Sequence, residues 1–168
     1  MQIKKIQTIK DHDFVRLQQE YESEFAEITG YKPDENGIFD QEFLTSTWSK
    51  YGYDIYLLES NHQIAGFAVV NLSSMISDDN NVRDIAEFFI IPNLRNNNLG
   101  TLFAQKIFYQ YPGNWEVRQL PSLIRARKFW IRAIQSCKHE NYQEQIDHPN
   151  WLGFVQKFKI VMTECDII

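Results

Sequence analysis

Glycine is scarce in this chain, with seven in 168 residues, and cysteine is scarcer, with two. The familiar glycine-rich phosphate loops are missing. No GxGxxG follows a strand and no GxxxxGK-S/T occurs. A GxSxG nucleophile elbow is absent as well. Cys137 and Cys165 form no CxxC pair. Two lone cysteines fit free thiols in a reducing cytoplasm, with a single disulfide as the alternative. The four histidines, His12, His62, His139 and His148, form no HExxH. Cys137, His139 and His148 match no standard ligand spacing, so no metal is expected. No apolar run approaches the roughly 18 residues of a membrane span. The opening "MQIKKIQTIK" lacks the apolar core of a signal peptide, so the expectation is a cytoplasmic protein away from membranes.

What is present supports a real core. Apolar residues make up 43% and aromatics 14%, which excludes wholesale disorder. The length suits one domain spanning 1–168. The net charge of -5 argues against general nucleic-acid binding. That charge is unevenly spread. Phe88 to His139 holds eight basic residues (Arg95, Lys106, Arg118, Arg125, Arg127, Lys128, Arg132 and Lys138) against one acid, Glu116. The rest of the chain has nine basic residues against twenty-one acids. Such segregation suits an anionic ligand beside a cationic one, or else solvated faces.

Periodicity gives the elements. Gln2–Lys10 alternates loosely as a first strand. Asp11 or Asp13 caps a helix to about Ile28, with Phe14, Leu17, Tyr21 and Phe25 at helical spacing and Gly30 as the stop. "YKPDENGIFD" is a loop, and Asp40 caps a second helix. "DIYLLES-NHQ-IAGFAVVNL" is a hairpin, followed by "SSMISDDNN" as an exposed loop. Asp84–Ile91 is a buried strand, Leu99–Tyr111 a helix, and Trp115–Leu120 another strand. A helix then runs to about Cys137. Tyr142–Ile146 and Phe154–Met162 close the chain as strands joined by "DHPNWLG". Hairpins at both ends and crossover helices in the middle imply a mixed α/β sheet.

The informative stretch is "FFIIPNLRNNNLGTLFAQKIF", Phe88–Phe108. A buried strand runs through a polar loop into an amphipathic helix. A helix N-terminus offers unpaired N–H groups and a partial positive charge, and so stabilises an anion. Wrapping backbone N–H groups round a pyrophosphate needs left-handed angles. Asparagine reaches these best after glycine. "IIPNLRNNNLG" resembles the acyl-CoA-binding loop of the GNAT N-acetyltransferases, with Arg95, Asn98 and Gly100 at its Arg, first Gly and last Gly positions. Asn98 departs from glycine there. Downstream, Ala126 and Phe129 of "RARKFW" match that family's Ala-x-x-Phe-Tyr helix. Trp130 stands at its tyrosine position, and Leu123 where asparagine is common.

The resemblance implies a GNAT-like α/β (α+β) fold. Its sheet is mixed, mostly antiparallel and six- to seven-stranded, flanked by about four helices, with a central parallel strand pair splayed at the CoA site. It implies acetyl transfer from acetyl-CoA, a co-substrate, to a primary amine of a small molecule or peptide. A catalytically silent acyl-CoA-binding regulatory module is the alternative. Under this resemblance the backbone of Phe89, Ile90 and Ile91 pairs with the pantetheine arm. Arg95, Asn96, Asn97, Asn98, Leu99, Gly100 and Thr101 hold the pyrophosphate. Arg125, with the basic helix around it, approaches the 3′-phosphate, while Phe129 and Trp130 line the site. Glu87 is the first candidate base, because a carboxylate in an apolar strand has a raised pKa. Its ordinary alternatives are a solvated strand face or an ion pair with Arg118. Asp84 is the second candidate and is expected to be exposed; His62 and His148 lie further down. Tyr109, Tyr111 and Tyr142 remain open as the acid. Tyr31, Asp34, Glu35 and Asp40, with Asp78 and Asp79, suit a cationic acceptor. Exposed aromatics are compatible with a homodimer.

Overall fold

The computed structural model describes residues 1–162. The elements are β1 Gln2–Ile6, α1 His12–Thr29, α2 Gln41–Ser49, β2 Tyr53–Ser60, β3 Gln63–Asn71, β4 Val82–Ile90, α3 Leu99–Gln110, β5 Gly113–Gln119, α4 Ile124–Gln135, β6 His139–His148 and β7 Trp151–Ile160. Their local causes are visible in the sequence. Asp11 accepts from the N–H groups of Asp13 and Phe14, and Asp40 from those of Glu42 and Phe43, so both first helices start on carboxylate caps. Gly30 ends α1 at φ 72°.

The strands form one sheet in the order β1-β2-β3-β4-β5-β7-β6. Every neighbour pair is antiparallel except β4 with β5, which the α3 crossover makes parallel. One face packs on α1 and α2 through Phe14, Leu17, Trp48, Phe67 and Phe89. The other packs on α3 and α4 through Phe103, Phe108, Trp115, Trp130 and Ile134. Each such fully buried large side chain stabilises by about 1.5–3 kcal/mol.

The parallel pairing is short. Val82–Ile85 runs beside Asn114–Val117, and the two strands then part. A bulge on β4 opens the fork: Val70 opposes Ile85 and Val69 opposes Glu87, leaving Ala86 as the extra residue. At the fork, Arg118 of β5 donates through Nε and Nη2 to the two oxygens of Asp84 on β4, at 3.1 and 2.7 Å. Asn71 Nδ2 adds a third bond at 2.9 Å. Asp84 is therefore completely buried, contrary to the expected exposure at a strand start. The partner in β5 overrides its position in the sequence.

Other boundaries shift for tertiary reasons. β1 stops at Ile6, where its register with Ile55 of β2 ends. The expected "DHPNWLG" connection shrinks to a tight turn, with His148 opposite Trp151. Ser73, Ser74 and Ile76 of the expected exposed loop are buried, and Ser74 Oγ donates to Glu116 at 2.7 Å. Cys137 is a buried free thiol, pushed up to about 11 by burial. Cys165 lies outside the described residues. Among the described residues no helix is long and apolar enough to cross a membrane.

Replacing Asp84 with Ala leaves Arg118 buried without its counter-charge. The change should cost about 3–5 kcal/mol in urea unfolding. Breaking the exposed Arg16–Glu20 pair should cost less than about 1 kcal/mol.

Candidate active site

The fork leaves backbone groups without strand partners. Ile91 N–H donates to Ala65, and Gly66 stands opposite Ile90. Phe89 and Phe67 are thereby the hydrogen-bonded pair, and the backbone groups of Phe88 and Ile90 turn towards the gap. Arg95 Nε takes the Ile90 carbonyl at 2.8 Å. The groups facing the gap are those of Phe88 and the N–H of Ile90. The expected Phe89–Ile91 set shifts by one residue, because Phe89 and the Ile91 N–H pair with β3 while the Ile91 carbonyl accepts from the Leu94 N–H.

A cavity of about 940 Å³ occupies the gap. Its wall includes Ala86, Phe88, Phe89 and Ile90 of β4, Asn96, Asn98, Gly100 and Thr101 at the α3 start, and Arg125, Lys128, Phe129, Trp130 and Arg132 of α4. Five basic side chains line it, Arg95, Arg118, Arg125, Lys128 and Arg132, against one carboxylate, Glu24. Five of the eight basic residues of the Phe88–His139 segment therefore converge on one cavity. Asn97, Leu99 and Ile91 are not on its wall; Leu99 packs against the α3–α4 core and Ile91 against the α1–α2 core.

At the α3 start, Asn98 adopts φ 58°, ψ 0°, and Asn96 also lies at positive φ, 67°. None of the N–H groups from Asn96 to Thr101 has an acceptor among the described residues, and the helix ladder begins with Leu102 N–H on Asn98. Successive free donors at a helix N-terminus favour an anion. Gly100 has a separate task. A Cβ there would meet Phe129 at 3.2 Å and Ile90 at 3.5 Å, so its lack of a side chain lets α3 approach α4 and β4. Arg95 is committed elsewhere: its Nη atoms grip both oxygens of Glu24 at 2.8 and 2.7 Å, and its guanidinium lies over Phe89. Trp130 is buried and packs on Phe88, Phe108 and Phe129.

A second, smaller cavity of about 470 Å³ lies on the α1–α2 face. It shares Tyr21 and Phe25 with the first, and Glu22, Tyr31, Phe43, Leu44, Thr47 and Glu87 complete most of its wall. Tyr21 donates its hydroxyl to Glu87 Oε2 at 2.5 Å. Burial raises the Glu87 carboxyl, while the Tyr21 bond, the positive charge of Arg118 and the nearby Trp48 indole hold it down. The Trp48 N–H is buried with no partner in full hydrogen-bond geometry, so its help is that of a nearby dipole. Glu22 has no such compensation. Burial, and then the Glu87 charge, push it up to about 7.

Several expected residues stand apart. Asp84 lines neither cavity. Of the acceptor loop only Tyr31 reaches the smaller cavity; Asp34 caps its own turn at Asn36 and Ile38, and Asp40 caps α2. Asp78 pairs with Lys50, and Asp79 accepts from Asn81. Tyr109 accepts from the Lys138 N–H, and Tyr111 donates to Asp54. Neither they, nor Tyr142, nor His62 and His148, line either of these two cavities.

Two residues escaped the sequence reading. Glu22 flanks the apolar stripe of α1, one residue from buried Tyr21, and a carboxylate at the edge of such a stripe is its only signal. Gln119 continues the Trp115, Val117 alternation, placing an amide in an apolar slot of β5. It is buried on the wall of the larger cavity, and neither its oxygen nor its nitrogen has a partner among the described residues.

No protein-family model matches the chain, and no curated protein does. Solved structures do. A GNAT-family acetyltransferase from Staphylococcus aureus superposes with TM-score 0.60 at 18% identity, over 93% of this chain and 98% of that one. This is the GNAT fold. An aminoglycoside acetyltransferase in complex with coenzyme A gives TM-score 0.63 at 15% identity, over 95% of both chains. The PaiA N-acetyltransferase of Thermoplasma acidophilum, in complex with coenzyme A, gives 0.58 at 14%, over 95% of this chain and 99% of that one. In this chain the GNAT fold carries a short parallel pair, a fork and an asparagine loop.

Two outcomes follow from the geometry. Asn98→Gly should be tolerated, whereas Asn98→Val should lose about 1–2 kcal/mol in thermal melting, because a β-branched residue resists a left-handed angle. Glu22 is raised when folded. It is therefore favourable below its ordinary value near 4.5, and that advantage is lost as pH rises through about 7. Glu22→Gln should stabilise the protein at pH 8 by about 1 kcal/mol after allowance for solvent screening, and change little at pH 4.

Proposed function

We propose that this protein is a cytoplasmic, acyl-CoA-dependent N-acetyltransferase that acetylates a primary amine on a small molecule or peptide. The observation that carries the reading is the junction of the two cavities. A basic cavity bordered by the free N–H groups of Asn96, Asn98, Gly100 and Thr101 meets an acidic one at Tyr21 and Phe25. One suits an anionic acyl donor and the other a cationic acceptor.

The residues present fit acetyl-CoA. Asn96–Thr101 would hold the pyrophosphate. Arg125, Lys128 and Arg132 would meet the remaining phosphate. The Phe88 and Ile90 backbone groups and the unpartnered Gln119 amide would receive the polar arm. When bound, the co-substrate supplies an acetyl group activated as a thioester.

Glu87 is the base. Burial gives it affinity for a proton, and its position on the acidic side of the fork lets it accept one from the incoming ammonium, directly or through water. The Phe88 and Ile90 N–H groups point into the gap, where they stabilise negative charge developing on the acyl oxygen. The two cavities bring the reactants together at their junction, and that proximity contributes to the rate. No tyrosine hydroxyl on the basic wall is free to act as an acid, since Tyr21 is engaged with Glu87. A thiolate can leave without one, because its conjugate acid lies near the ordinary thiol pKa.

Acetyl-CoA should raise the melting temperature of the wild type by several degrees at saturating concentration. Glu87→Gln should keep that shift and lower thiol release on an accepted amine by about 10²-fold. No shift at millimolar acetyl-CoA would refute the donor site. A shift without turnover on any amine would select the silent acyl-CoA-binding module instead.

A further inference from the structure

Resting on the acetyltransferase reading, we infer that the acceptor is an aromatic monoamine: one ammonium on a short linker to a flat apolar body. The smaller cavity sets this class by what lines it. Its charged residues, among the described residues, are Glu22 and Glu87 alone, placed together beside Tyr21 at the junction with the donor cavity. Thr29 and Thr47 add only hydroxyls. The remaining large side chains are Phe25, Tyr31, Phe43 and Leu44.

The charge arrangement admits one cation. Both carboxyls hold protons more tightly than usual, each pushed up first by burial and Glu22 further by the charge of Glu87. The pair is the one acidic site on the described wall, at the end beside the donor cavity, and so offers a place for one ammonium. A second ammonium further along the same acceptor would meet Phe25, Leu44 or Phe43 and find no second carboxylate pair there. A peptide acceptor would bring amide groups against a wall whose polar side chains, apart from the acidic pair and Tyr21, are Tyr31 and two threonines whose hydroxyls already bond backbone groups.

The aromatic arrangement favours a flat body. Tyr31 and Phe43 lie with ring centroids 5.2 Å apart and planes 30° from parallel. Phe25 leans on Tyr21 at 4.7 Å. Phe43 is 56% exposed, a large apolar ring left in water at the edge of a cavity. A ring seated between Phe25 and the Tyr31–Phe43 pair would cover it and gain offset or edge contacts. The volume of about 470 Å³ suits one small ligand.

The test is a thiol-release assay with 2-phenylethylamine, spermidine and a short peptide bearing a free N-terminal alanine. Acetyl-CoA thermal shift is measured alongside, and isothermal titration of 2-phenylethylamine into the CoA-bound protein supplies a readout free of turnover. The inference expects kcat/KM for 2-phenylethylamine to exceed that for either alternative by at least about tenfold. Phe43→Ala should raise KM for 2-phenylethylamine about threefold to tenfold with kcat within twofold. Because Phe43 is exposed, that variant should keep its melting temperature and its acetyl-CoA shift. Preference for spermidine or the peptide overturns the aromatic assignment while leaving the acetyltransferase reading intact. So does an acetyl-CoA shift with neither turnover nor binding of 2-phenylethylamine. A missing acetyl-CoA shift, by contrast, fails the donor site itself.

Discussion

The buried Asp84–Arg118 pair is the constraint on which the rest of this architecture depends. A carboxylate and a guanidinium inside a sheet are costly unless each satisfies the other. Here the fit is bidentate, with Asn71 completing the carboxylate. The pair sits where the parallel strands stop pairing. Arg118 is the first residue of β5 beyond the paired register, and Asp84 lies one residue before the last paired position of β4. It ties the strands at the fork while the bulge at Ala86 carries the rest of β4 away. Without the tie the opened edges would lose their common origin. Without the bulge there would be no opening.

The fork divides the chemistry between two faces. Strand alternation sends Phe88 and Ile90 towards α3 and α4, and Glu87 and Phe89 towards α1 and α2. Free N–H groups and a basic helix gather on one side, and two coupled carboxyls on the other. Tyr21 stands on the wall of both cavities and fixes Glu87. One strand of nine residues thus presents backbone N–H groups to the basic cavity and the Glu87 carboxyl to the acidic one, and the alternation requires no extra element to do so.

Much of this was legible in the chain. The order of strands and helices followed from periodicity, because long amphipathic runs bury one face whatever their neighbours. The caps at Asp11 and Asp40, the stop at Gly30 and the left-handed Asn98 are local facts of backbone and side chain. Asp84 was misread as exposed because its partner is 34 residues away, and no local pattern signals a carboxylate paired across a parallel register. Gln119 and Glu22 were passed over for a related reason. Each looks like an ordinary polar residue until the fork and the α1–β4 contact enclose it.

By itself the sequence determined the element order, the helix ends and the conformational fitness of an asparagine loop, since these rest on interactions within a few residues. It also placed the basic residues in one segment. Only the tertiary structure decided which donors stay unpaired, which cation is already committed to a carboxylate, and which acids share a cavity. Those outcomes depend on where strands stop pairing and on what burial does to charge. Both are set by contacts between residues far apart in the chain.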